Sequence, residues 1–172
     1  MSEKKTIYKQ YDGQLFYAKT FESNRDNHPK YHAKTDGQYS IVLVPNEETI
    51  AQMKADGLPQ TAMNYPMFKP LAEADGRISY KFKRPHRHRS VEEFGGPPRV
   101  MNWTDGVDNS RPWDEDTDGL IGNGSEGSVR ISFYTDGDVE IVRLEGVAVT
   151  DLVPFELSEE AQSRAETEEG WV

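Results

Sequence analysis

The chain predicts a mainly β fold: a small, strongly bent barrel of about five strands with one helix, long loops and an acidic C-terminal tail. Three observations lead there. Short β-rich runs recur between Gly, Asp and Pro residues. A hairpin signal, TDGD, joins two such runs near the end of the folded part. A single segment carries both start and stop signals for a helix. No internal repeat is present, and the order of elements suits neither a sandwich nor a βαβ fold.

The elements follow in order. GQLFYAKTF (13–21) and GQYSIVLVP (37–45) read as the first two strands. NEETIAQMKADG (46–57) reads as the helix: Asn46 is the N-cap, Glu47 and Glu48 sit in the first turn, Ile50 and Met53 share a face, and Gly57 ends it. Segment 58–76 carries three prolines and reads as an extended loop holding Tyr65, Met67 and Phe68. Strands are expected at 77–83 and 99–103, separated by EEFGGPP, which excludes regular structure. In the C-terminal part, Val129, Ile131 and Phe133 alternate with Arg130 and Ser132, and Val139, Ile141 and Arg143 continue across the turn. GVAVTDLVPF then supplies a final strand.

A chain of 172 residues allows one ordinary domain plus an extension, here 1–155 and a tail at 156–172. The hydrophobic fraction of 35% and mean hydropathy of -0.80 imply a modest core. The absence of cysteine excludes a disulfide framework, a thiol nucleophile and a Cys-based zinc site. The opening MSEKKTIYKQ lacks the apolar run of a signal peptide, and no stretch approaches a membrane span. A soluble, intracellular protein is expected.

The net charge of -10 hides a block pattern. Tail residues 156–172 hold six Glu against one Arg, and 104–118 hold six carboxylates against Arg111. Segment 77–89, RISYKFKRPHRHR, holds six Lys and Arg, two His and no acid. Cations at this density track a phosphate backbone, and neighbouring aromatics offer bases a stacking surface. Lys81, Lys83, Arg84, Arg87 and Arg89 are the phosphate candidates. As a strand, 77–83 sends Ile78, Tyr80 and Phe82 to one face and Arg77, Ser79, Lys81 and Lys83 to the other. Two readings therefore stand for Tyr80 and Phe82, base stacking or core. HPKYHAK places Tyr31 among Lys30 and Lys34, and Trp103 follows Arg99. Tyr31 and Trp103 are further stacking candidates, and Trp103 has the alternative of anchoring its loop to the core.

Metal and nucleotide chemistry find no frame. DEDTDGLIGNGSEG opens as a calcium loop with Asp114, Asp116, Asp118 and Gly119, but the position that needs a bidentate Glu is Ser125. Pro112 precedes the loop and a strand pattern follows it, where a calcium loop needs helices. Gly122, Gly124 and Gly127 instead let the chain turn tightly into the hairpin. His86 and His88, or His28 and His32, stand among cations that repel a divalent metal. GNGSEG lacks the Walker lysine and the dinucleotide pattern.

The tail ends in Trp171 and Val172 after an acidic run, a shape that a partner with an apolar pocket and a basic rim would grip. The same tail can lie across the chain's own cationic groove, so that nucleic acid must displace it.

Together these features resemble the bacteriophage single-stranded DNA-binding proteins of the podophage replication type. LIGNGSEGSVRISFY (120–134) and VRLEGVAVTDLVPF (142–155) carry the resemblance most clearly, with GQYSIVLVP and its following helix in the N-terminal half. The resemblance implies an OB-fold-like, five-stranded Greek-key barrel. It implies binding of single-stranded DNA in replication and recombination, in the cytoplasm of an infected bacterial host. It also implies a tail, here Glu166, Glu168, Glu169, Trp171 and Val172, that docks a phage or host polymerase, primase-helicase or nuclease. A homodimer is among the assemblies it allows. The tail departs from the family in being less densely acidic and in ending with Trp-Val rather than Phe. The expected protein is not an enzyme, and it uses no cofactor or metal. Its rivals are a metal-dependent nuclease and a structural, protein-binding phage module.

Overall fold

The computed structural model describes residues 6–21, 24–26, 37–62, 65–86, 95–136 and 139–154. Its strands are β1 (Ile7–Lys19), β2 (Gln38–Val44), β3 (Thr61–Ala62), β4 (Tyr65–Pro66), β5 (Lys69–Leu71), β6 (Arg77–Pro85), β7 (Arg99–Asn102), β8 (Arg111–Pro112), β9 (Ser125–Asp136) and β10 (Val139–Asp151). Helix α1 spans Glu47–Ala55, and α2 is the single turn Glu115–Asp118. Among the described residues, the protein is mainly β. Eight strands form an open sheet in the order β5-β6-β2-β1-β9-β10-β7-β8, with β3 and β4 as a separate ribbon. All neighbours in the sheet run antiparallel except β10 and β7, which are parallel.

β1 is the hinge of this sheet. Residues 7–15 pair with β9, residues 14–19 pair with β2, and the ladder slips between Phe16 and Lys19. Tyr17 sits at the slip with φ 50, a left-handed conformation uncommon outside glycine, and its N–H donates to Asn123 Oδ1 at 2.8 Å. The bend lets the sheet wrap one core. Tyr80 and Phe82 of β6 join Val129 and Ile131 of β9 and Leu144 and Val147 of β10 in the same buried cluster. Helix α1 adds Met53 to that cluster. Asn46 caps it, accepting from Thr49 N at 2.8 Å, as its sequence predicts.

Several boundaries differ from expectation, each for a readable reason. β1 begins at Ile7 rather than at residue 13, because Asp12-Gly13 pairs with Ser128-Gly127 instead of turning. Gly127 belongs there because a Cβ would collide with the carbonyl oxygen of Ala148. The hairpin closes at Asp136 and Val139, one residue later than a turn centred on Asp136-Gly137. The run after it is one strand, not two: β10 slips register between Leu144 and Gly146 and continues to Asp151. Pairing with β9 before the slip sets its phase. Val142 pairs with Phe133 and Leu144 with Ile131, so the core side of β10 is not the Val139, Ile141, Arg143 set. Segment 58–76 contains β3, β4, β5 and a 3-10 turn at Ala72–Ala74 rather than a bare loop.

Candidate nucleic-acid interface

β6 alternates as its sequence predicts, but the alternation runs two residues further and divides its candidates. Tyr80 and Phe82 are each 1% exposed and packed against one another, ring centroids 4.9 Å apart and planes tilted by 33°. Both are core, and no ring face is left for a base. Arg84 follows them inward at 7% exposure, which removes it from the phosphate candidates. Its guanidinium donates to Gly96 O at 2.8 Å and Gly95 O at 3.0 Å and reaches Leu144 O and Glu145 of β10, each at 3.4 Å. Arg143 and Ser132 also donate to Glu145, at 2.8 and 2.6 Å. Arg84 is thus a buried strut that ties β6 to β10. Burial pushes its guanidinium down from the ordinary value, while Glu145 pulls it up.

Lys81 and Lys83 point the other way and are exposed. Register brings them into company that the sequence does not reveal. Lys83 pairs with Ser40, and Ser40 pairs with Lys19 of β1, so both lysines stand in one row across three strands. Lys69 of β5 pairs with Ser79, one diagonal step from Lys81. Partial burial, and after it the ammonium groups of Lys83, Lys19 and Lys69, hold Lys81 below its ordinary pKa, with Asp26 opposing them. Among the described residues none of the four lysines has an ion-pair partner. A polyanion laid on this face would relieve their mutual repulsion.

Lys30, Tyr31, Lys34, Arg87 and Arg89 lie outside the described residues, as do the tail positions Glu166, Glu168, Glu169, Trp171 and Val172. The roots of the first two groups are described, and they adjoin. Asp26 and Gln38 exchange backbone hydrogen bonds of 2.9 and 2.8 Å at the base of segment 27–36. His86 N donates to Gly37 O at 3.0 Å, and Gly96 N donates to His86 O at 2.6 Å, at the base of segment 87–94. The Tyr39 hydroxyl meets His86 Nδ1 at 2.6 Å beneath both. The described ends of both segments therefore lie two to three residues along the ladder from Ser40 and Lys83.

Arg99 and Trp103 fall elsewhere. They line a cavity of about 570 Å³ on the outer face of β1, β9, β10 and β7, with Tyr8 and Arg130 on its opposite side. Trp113, by contrast, is buried and donates its indole N–H to Gly119 O at 2.9 Å.

The aspartates of the calcium-like stretch are engaged with the protein. Asp114 caps α2, accepting from Asp116 N at 3.0 Å and Thr117 Oγ1 at 3.1 Å. Asp118 receives both Arg111 Nη1 and Nη2, at 2.9 and 2.7 Å. The stretch therefore forms an exposed helical turn pinned by Asp114 and by the Arg111–Asp118 pair. Among the described residues there is no group of three or more His, Asp or Glu placed to hold a metal, and no helix long and apolar enough to cross a membrane.

A comparison with solved structures finds a match. The single-stranded DNA-binding protein from bacteriophage Enc34 superposes with a TM-score of 0.52, covering 94% of this chain and 89% of that chain at 15% sequence identity. The two share a fold. No protein-family model and no curated protein sequence matches the chain.

Lys19, Lys69, Tyr8 and Arg130 escaped sequence reasoning. Arg130 was legible as an outward residue, because it alternates with Val129 and Ile131, but nothing local points to Tyr8 across the ladder. Lys19 and Lys69 join the interface through register alone.

Proposed function

We propose that this chain binds single-stranded DNA, largely without regard to sequence, and uses no catalytic chemistry. The observation that carries the reading is the lysine cluster, Lys19 and Lys83 in one row with Lys81 and Lys69 beside it, at the root of the segments that carry Lys30 and Lys34 and Arg87 and Arg89. The fold supports it. The run β6-β2-β1-β9-β10, with β6 and β10 bridged by Arg84, is compatible with a five-stranded Greek-key OB barrel. In such barrels the outer face of the second and third strands, with the loop between the first and second, takes oligonucleotides. Here those are β2, β6 and segment 20–37, which carries Lys30, Tyr31 and Lys34. The likeness to a phage protein whose name states the same activity points the same way.

On this reading, Arg87 and Arg89 extend the phosphate track and Tyr31 supplies stacking. The acidic tail, through Glu166, Glu168, Glu169, Trp171 and Val172, recruits phage or host replication proteins. The work belongs to phage replication and recombination in the cytoplasm of an infected bacterium, and a homodimer is compatible with it.

A mobility-shift series with oligo-dT, duplex DNA and RNA, repeated over a range of salt, tests the reading. With about six phosphates neutralised, log K should fall against log salt with a slope near -4, at roughly -0.7 per phosphate for a single strand. A slope near zero, or an equal preference for duplex, overturns it.

A further inference from the structure

β10 carries Gly146 and Ala148 between Arg130 of β9 and Arg99 and Met101 of β7, and this opens a trough on the outer face of β1, β9, β10 and β7. Register defines it. Gln10, Arg130, Gly146 and Arg99 form one row across β1, β9, β10 and β7. Ser128, Ala148 and Met101 form the next. Gly146 and Ala148 are the floor. A Cβ on Gly146 would stand 3.0 Å from Arg99 O, so the close approach of β7 to β10 needs the glycine. Arg130 and Tyr8 rise on one rim, Arg99 and Trp103 on the other. The volume, about 570 Å³, is that of an ordinary small-ligand site.

The chemistry of the rims is specific. Each pairs a guanidinium with an aromatic ring. Arg130 Cζ lies 5.2 Å from the centroid of Tyr8, whose ring is 55% exposed. Among the described residues, neither Arg99 nor Arg130 has a carboxylate partner. Glu145, the acid in the wall, is already taken by Arg84 and Arg143. The neighbouring cavity of about 600 Å³ sets Asp12 and Glu126 against Arg77 alone and lacks this excess of cations. Guanidinium and aromatic groups on facing rims are what a stacked base and its phosphate require.

We infer that this trough is a second contact site for single-stranded nucleic acid, reached by the same strand that crosses the lysine row. The inference rests on the function proposed above and adds to it a binding path over two faces. β1 joins them, with Tyr8 at the trough and Lys19 in the lysine row. At about 3.3 Å per residue its eleven steps span at most ~36 Å, or roughly ten nucleotides at a stacked rise of 3.4 Å. A short oligomer occupies one face only, while a long one reaches both.

Two measurements test this with the full-length protein. The first is the tryptophan emission that is lost in Trp103→Phe, followed during titration with dT oligomers of about 5 and about 20 nucleotides. It should be quenched by the longer oligomer and not by the shorter. The second compares wild type with the exposed-site double variant Y8A/R130A. Affinity for the longer oligomer should fall about tenfold, with binding of the shorter unchanged. Quenching at neither length, or a variant that binds the long oligomer as wild type does, overturns the trough while leaving the lysine face intact. Equal quenching at both lengths overturns the two-face path. Failure of wild type to bind either oligomer removes the underlying function instead.

Discussion

The two faces of β6 are made from one alternating sequence and have opposite chemistry. Outward, Lys81 and Lys83 stand in a lysine cluster that repels itself, with Asp26 opposing it in part. Inward, Tyr80, Phe82 and Arg84 are buried, and the one charge among them is shared with Glu145 and three backbone carbonyls. Cation density in a sequence therefore overstates an exposed cationic surface: part of it ties β6 to β10 inside the fold. The difference is also energetic. A buried guanidinium costs desolvation that only its partners return, whereas an exposed lysine costs almost nothing until a polyanion arrives.

Replacing Arg84 breaks the comparison most directly. Arg84→Ala leaves Gly95 O, Gly96 O and part of the Glu145 charge without their donor inside the fold, so about 3 kcal/mol of unfolding free energy should be lost. Arg84→Lys should recover little, because an ammonium cannot serve both loop carbonyls with a planar fork. Urea denaturation gives the loss, and the salt slope of DNA binding should stay where it was. A stable Arg84→Ala protein with a shallower slope would move Arg84 to the outer face in function and erase the contrast.

How much of this was legible beforehand follows the same division. The phase of β6 was written in its sequence, and extending it one step past Lys83 puts Arg84 beside Tyr80 and Phe82. The strand was expected to end at residue 83 because Pro85 follows, yet Pro85 still pairs with Gln38 as its last residue. Asp12-Gly13 has turn composition but lies inside a ladder, since Gly127 opposite it permits close backbone packing. β10 is apolar in both phases, so only pairing with β9 decides which side faces the core. The lysine row and the trough are tertiary objects. No local rule places Lys19 beside Lys83, or Tyr8 opposite Trp103.

The acidic corner sharpens the contrast from the other sign of charge. The hydrogen-bonded Arg111 guanidinium, with the backbone N–H of Asp114, holds the Asp118 carboxyl down at about 2. Because the folded value lies below the ordinary one, the stabilisation is complete above about pH 4 and is lost as pH falls toward 2. Arg111 is half exposed, which limits the effect to about 1 kcal/mol. Asp118→Asn should be less stable than wild type by that amount at pH 7, and the two denaturation curves should converge near pH 2. A gap that persists at pH 2 would assign the effect to packing instead of charge.

The smallest stability effect carries the most functional information. Lys83 is exposed and has no ion-pair partner among the described residues, so Lys83→Ala should alter unfolding free energy by less than about 0.5 kcal/mol. Its removal also relieves Lys81, whose pKa its charge helps to depress. The binding cost should therefore be smaller than a lone cation would give, because part of the lysines' mutual repulsion goes with it. What cannot be compensated is the count of displaced counterions: the salt slope should become shallower by about 0.7. Lys19→Ala, from a different strand in the same row, should give the same increment, and the double variant should give about twice that. A Lys19→Ala slope equal to wild type would confine the phosphate track to β6. The three-strand row would then be an accident of register.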